Sequence, residues 1–232
     1  MAAMAPIRLY SGPLSMYGAK AQIAAAEKGL ALDLVMVPFD MTRLYEPKHP
    51  DVLRINPKAQ VPVLIHGDLE IFDSTQIFEY LEDIAPEPPL WPNDVQQRAR
   101  ARLLEHRSDE IYFPHIIRLM GLQQTPEDPA AITARQAATV FYDAMENQIA
   151  GQDYLTGVFG YADIAFFMAQ LFGERMGAPL EGRHARLIAW RERMLKRPSV
   201  RQVAAPMVTY LSGQGRKLPA FLHSLQPPPR AL

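Results

Sequence analysis

Up to residue 85 the hydrophobic positions fall in short runs separated by turn residues, and beyond residue 95 they repeat at helical spacing. IRLY at 7–10 predicts a short buried strand, followed by SGPLSMYG and an Ala-rich helical run over 19–28 that Gly29 ends as a C-cap. Residues 32–37, bounded by Pro38, predict a second strand, and a crossover of this length implies parallel pairing with the first. After an irregular polar segment, apolar runs at 63–65 and 69–72 flank His66, Gly67 and Asp68, a hairpin signal. Asp73 then supplies an N-cap with Gln76 three residues on, and Ile77, Phe78, Leu81 and Ile84 make one helical face.

PEPPLWP at 86–92 places four prolines in seven residues, stiff and helix-breaking, and marks the domain boundary. Beyond it the strong periods are helical, at 95–120, 130–150, 161–176 and 184–197, the last stopped by Arg197-Pro198. The final residues, GQGRKLPAFLHSLQPPPRAL, read as an irregular tail whose triple proline could dock on an aromatic groove. The expected division is 1–86, a linker at 87–94, and an all-helical 95–232 with that tail.

Composition narrows the chemistry. With 232 residues, 48% of them hydrophobic, the chain can bury a large core, and a net charge of -1 gives no field to gather nucleic acid or an anionic membrane. The N-terminal MAAMAPIRLY lacks an export or transit pattern, so a cytoplasmic location is expected. The most apolar long window, YLTGVFGYADIAFFMAQLF, carries Asp163 and reads as a buried helix, not a membrane span. Cysteine is absent, which removes thiolate ligands and thiol nucleophiles, and the six histidines show no HxxxH pair, so no metal site is expected. Arg98, Arg100, Arg102 and Arg107 suit surface pairing or a dimer contact better than nucleic acid.

Four stretches, LYSGPLSMYGAKAQIAAAEKGL, INPKAQVPVLIHGDLEIFDSTQIFEYLED, DYLTGVFGYADIAFF and AWRERMLKRPSV, together resemble the soluble glutathione transferases in order and spacing. The resemblance implies an N-terminal α/β thioredoxin-like domain, βαβαββα with a mixed sheet, and a C-terminal all-α bundle. Glutathione would be the co-substrate, a small electrophile the second substrate, and a homodimer the assembly. In such proteins the bond before Pro62 is cis, turning the N–H and C=O of Val61 toward an extended peptide laid alongside like an added strand. The γ-glutamyl carboxylate would sit at the helix start on Ser74, with Asp73 facing the ammonium; a plain cap explains an Asp-Ser there equally well.

Ser15, fifteen residues ahead of Leu30, matches the catalytic position of the serine-type and cysteine-type classes, and the lack of cysteine leaves serine. It would donate a hydrogen bond to the glutathione sulfur; Ser11, Tyr10 and Tyr17 remain alternatives. Gln60 would reach the glycine end, with His49 or Lys48 as a further polar contact. Tyr112, Phe113, His115, Ile116 and Met120, with Tyr17, would line the pocket for an apolar electrophile, unless that stripe is core. Asp163 is expected to cap its helix start at Gly160, where the family usually has Ser or Thr. The same residues would also fit a non-catalytic binding or regulatory module, or a glutathione-dependent isomerase or dehalogenase.

Overall fold

The computed structural model describes residues 5–46 and 48–226. They form two compact units: the residues up to Pro88 together with Ser199–Lys217, and Pro89–Pro198 with Leu218–Ser224. The chain therefore returns to the first unit late, which differs from a division assigning everything after residue 95 to one helical domain.

In the first unit, β1 (Ile7–Ser11), α1 (Met16–Glu27), β2 (Leu32–Met36), α2 (Pro50–Ile55), β3 (Val63–His66), β4 (Leu69–Phe72) and α3 (Ser74–Ile84) follow one another. The mixed sheet runs in the order β2-β1-β3-β4, with β1 and β2 parallel and the other pairs antiparallel. Strand alternation splits the core in two. Ile7, Leu9 and Leu64 pack with Ala21 and Ala25 of α1 and Ile77 and Leu81 of α3. Tyr10 and Val63 point the other way, to Val37 and to Val52 of α2.

The register sets which loops meet. Tyr10 stands opposite Val63, and Val63 opposite Phe72. The end of β1, the start of β3 and the end of β4 therefore lie at one end of the sheet on three adjacent strands, where α1 and α3 both begin.

At the other end of α1, the buried Lys28 ammonium meets Glu82 Oε2 at 2.5 Å and donates to the carbonyls of Ala85 at 2.7 Å and Pro88 at 3.0 Å. One cation with three acceptors thus ties α1 to the end of α3 and to the exit of the unit.

The second unit holds α4 (Val95–Arg107), a π-helical turn (Ser108–Tyr112), α5 (Phe113–Gly121), α6 (Pro129–Gln148), α7 (Tyr161–Arg175) and α8 (Ala185–Lys196). The run expected as one helix over 95–120 is interrupted by the π turn, just ahead of Pro114, which lacks the N–H for a regular backbone bond. Every residue of α7 from Tyr161 to Gly173 is buried, and Trp190 of α8 stacks on its Phe166 at 5.2 Å. No helix among the described residues is long and apolar enough to cross a membrane.

Two expectations change. A further helix, α9 (Pro198–Gly213), continues where Pro198 was read as a stop; the proline sits at its first position, where a missing N–H costs nothing. Within the tail, Ala220–Leu225 forms a 3₁₀ turn with Leu222 fully buried and Arg191 4.0 Å over the Phe221 ring. The triple proline lies outside the described residues.

Candidate functional site

Ser15 is the N-cap of α1, with extended backbone (φ -79°, ψ 110°) and its Oγ accepting the amide of Gly18 at 2.9 Å. Its own amide donates to the Gly12 carbonyl at 3.0 Å, closing the turn out of β1. The residue is 8% exposed. Since Oγ already accepts from the helix, its hydroxyl hydrogen is the group left to donate to a ligand.

The other hydroxyls are placed differently. Ser11 is fully buried and accepts from Gln22 Nε2 at 2.9 Å. Tyr10 is buried with its hydroxyl on Asp51 Oδ2 at 2.5 Å, and burial followed by that bond raises its phenol above the ordinary value. Both serve the interior. Tyr17 is half-buried, with the Lys20 ammonium 5.5 Å from its ring centroid.

The Val61–Pro62 bond is cis, as the resemblance implied. Val61 precedes the β3 ladder, and its backbone N–H and C=O have no partner among the described residues. The loop leading to it is shaped by Asn56, a residue that sequence reasoning passed over. Asn56 is 4% exposed; its Nδ2 donates to the Gln60 carbonyl at 2.6 Å and its Oδ1 accepts from Lys58 N at 2.9 Å. An Asn-Pro step ending a polar segment is a turn signal that could have found it. The Gln60 side chain is exposed.

At β4's end, Asp73 takes φ 77° and ψ 129°, a left-handed conformation that costs a non-glycine residue about 1–3 kcal/mol. Its Oδ1 accepts from Thr75 N at 3.0 Å and Gln76 N at 3.3 Å. The capping role is therefore real, and the side chain remains exposed to solvent. Ser74, the first residue of α3, is 3% exposed.

His49 caps α2: its Nδ1 accepts the Asp51 amide at 3.2 Å and its ring lies 4.8 Å from that of Tyr10. Lys48 pairs with Glu46 at 3.0 Å.

The proposed electrophile pocket needs correction. Tyr112 is fully buried with its hydroxyl 2.5 Å from that of Tyr142, Phe113 packs edge-on to Phe172, and Ile116 is 1% exposed. Those three form the core of the helical unit. His115 is half-buried and Met120 is 46% exposed, on other sides of α5.

Across the end of the sheet, Ser15 follows β1, Val61 and Pro62 precede β3, and Asp73 and Ser74 follow β4. Strands lie about 4.8 Å apart, so the span from β1 to β4 is about 10 Å, the length of three extended residues.

Residues 9–89 match the glutathione S-transferase N-terminal domain and residues 109–198 the C-terminal domain. Glutathione S-transferase 1 of Dianthus caryophyllus is 32% identical over 183 residues, 74% of this chain and 78% of that protein. A stringent starvation protein A homolog of Coxiella burnetii is 38% identical over 107 residues, so the chain matches about half of that relative, 47% of its length. Among solved structures, a glutathione S-transferase of Methylobacterium radiotolerans in complex with glutathione sulfonate superposes with a TM-score of 0.72 at 28% identity, covering 85% of this chain and 94% of that one. Two matched domains in the right order and a relative aligned along most of both lengths make this chain a member of the glutathione S-transferase family.

Proposed function

We propose that the chain is a glutathione transferase in which Ser15 stabilises the glutathione thiolate for attack on an electrophilic, largely apolar second substrate. The observation that carries this reading is the convergence of the Ser15 hydroxyl, the unpaired backbone of Val61 and the start of α3 at one end of the sheet, at the spacing of a tripeptide. The peptide would pair with Val61, its γ-glutamyl carboxylate would lie at Ser74 and the helix start, and its ammonium would face Asp73. Gln60 and His49 would serve the glycine end, with Tyr17 beside the sulfur.

A thiol with a pKa of about 8.5 is only a few per cent ionised at neutral pH. Lowering it by two units takes roughly 2.7 kcal/mol. One hydroxyl donating to an anion supplies about 1.5–3 kcal/mol and a helix N-terminus about 0.3–1, so Ser15 on α1 is sufficient. The thiolate then forms a carbon–sulfur bond by addition, or by displacing a leaving group such as halide. Homodimeric assembly in the cytoplasm is part of this reading.

The test is Ser15→Ala with bound glutathione titrated by ultraviolet thiolate absorbance. Intact folding, retained binding, a thiol returned to about 8.5 and conjugation down by about 10- to 100-fold are expected. Unchanged turnover would transfer the role to Tyr17.

The match to a stringent starvation protein A homolog favours a second reading, a glutathione-transferase-like binding or regulatory module without chemistry. It predicts that the wild-type protein either fails to bind glutathione or leaves a bound thiol titrating as in free solution.

A further inference from the structure

Resting on the glutathione reading, we infer that Tyr45 is a positioning residue that holds the Ser15 turn at a fixed distance from Val61. A Cβ built on Gly12 would fall 2.2 Å from Tyr45 Cε1 and 2.5 Å from its hydroxyl, so the ring lies directly on the Gly12 backbone where only glycine fits. Gly12 is the residue whose carbonyl accepts the Ser15 amide. The same ring packs against the apolar cluster of Tyr10, Val37, Val52 and Val63, which Val61 and Phe72 also join. One side chain therefore touches the turn that presents the hydroxyl and the cluster that seats the peptide-binding strand start.

Tyr45 is itself held in place from two sides. Asp40 Oδ1 accepts the amides of Thr42 and Arg43 at 2.8 and 2.7 Å, and Asp40 and Leu44 exchange both backbone bonds at 2.7 Å, fixing the turn just before Tyr45. Phe39 meets the Tyr45 ring at 4.7 Å and Tyr210 of α9 at 5.9 Å, and the Tyr210 hydroxyl donates to the Phe39 carbonyl at 3.0 Å. A helix far along the chain thus backs the loop that presses on the Ser15 turn. A hydroxyl displaced by about an ångström loses much of its stabilisation of a developing or bound anion.

The experiment compares Tyr45→Phe, Tyr45→Leu, Tyr45→Ala, Gly12→Ala and the Gly12→Ala/Tyr45→Ala double variant with wild type, measuring calorimetric glutathione affinity, the pKa of the bound thiol and kcat. Tyr45→Ala, Tyr45→Leu and Gly12→Ala should bind glutathione with little change, raise the bound thiol by about one unit and lower kcat about 10- to 100-fold. Tyr45→Phe, which keeps the ring, should restore both, and the double variant should be no worse than the poorer single one. A bound thiol that titrates as in wild type in the Leu, Ala and Gly12→Ala variants overturns the inference, as does an additive double variant. If those variants are silent while Ser15→Ala shifts the thiol, only the inference fails; if wild type binds no glutathione, the functional reading fails with it.

Discussion

At the residue scale, Asp73 caps α3, and one substitution can separate that role from the one proposed for it toward an ammonium. Asp73→Asn keeps an oxygen for the amides of Thr75 and Gln76 and tolerates positive φ, while removing the charge that would face an ammonium. Melting temperature should stay near wild type and glutathione affinity should fall about tenfold, since a hydrogen bond to a charged group is worth about 1.5–3 kcal/mol. Unchanged affinity would reduce Asp73 to a cap. Asn56 makes the complementary case. Asn56→Ala strips partners from the Gln60 carbonyl and the Lys58 amide, and a rise in KM for glutathione of about 5- to 30-fold is expected from an error in the Val61 approach of about 1–2 kcal/mol. The cis bond before Pro62 and the Asp73 cap were legible, the first from the family resemblance and the second from an Asp at a strand-to-helix junction with Gln76 three residues on. Asn56 and Tyr45 were not, because they act through the backbone they hold, and a sequence does not display which carbonyl or glycine a side chain will meet.

At the scale of elements, a cap that looks improvable is not. Gly160 stands where serine or threonine would ordinarily be the better cap by a few tenths of a kcal/mol, yet a Cβ there would lie 2.7 Å from the Leu90 carbonyl oxygen, which accepts the amide of Tyr161 at 2.9 Å. Gly160→Ser should therefore lower stability by about 1–3 kcal/mol in chemical denaturation; a stabilised variant would show that Leu90 yields freely. Lys28→Ala should cost about 3 kcal/mol by leaving Glu82 and two carbonyls without their cation, read as an earlier urea midpoint. Periodicity revealed most helices but missed α9, although Val200, Val203, Ala204, Met207, Val208 and Leu211 make one buried face. Pro198 and Pro206 masked it, the first harmless at a helix start and the second a tolerated interior break. The aromatic stripe at 112–116 misled for the opposite reason: helical spacing shows that Tyr112, Phe113 and Ile116 share a buried side, but not whether that side meets ligand or core.

For the whole molecule, one carboxyl in the helical unit gives stability a distinctive pH dependence. Asp163 is fully buried; its Oδ1 accepts Leu155 N at 3.0 Å and Trp190 Nε1 at 2.8 Å, and its Oδ2 accepts Gly160 N at 3.1 Å. It thereby joins the start of α7, the loop before it and α8. Burial raises its pKa from 3.8 to about 6, against the opposing pull of those donors and of Arg197. The folded chain thus holds this proton more tightly than the unfolded chain, so the contribution is complete below pH 3.8, declines as pH rises through about 6, and is constant above. The decline amounts to roughly 3 kcal/mol if the unfolded carboxyl titrates normally. Other carboxylates slope the opposite way, so the quantity to measure is the difference in unfolding free energy between wild type and Asp163→Asn at several pH values. Asparagine holds no proton in this range, and the difference should shift in the variant's favour by about 2 kcal/mol between about pH 4 and 6, the rest of the decline lying on either side of that window. A flat difference would mean that the three donors alone offset the burial of the charge, leaving Asp163 ionised in the fold at the same pH as in water.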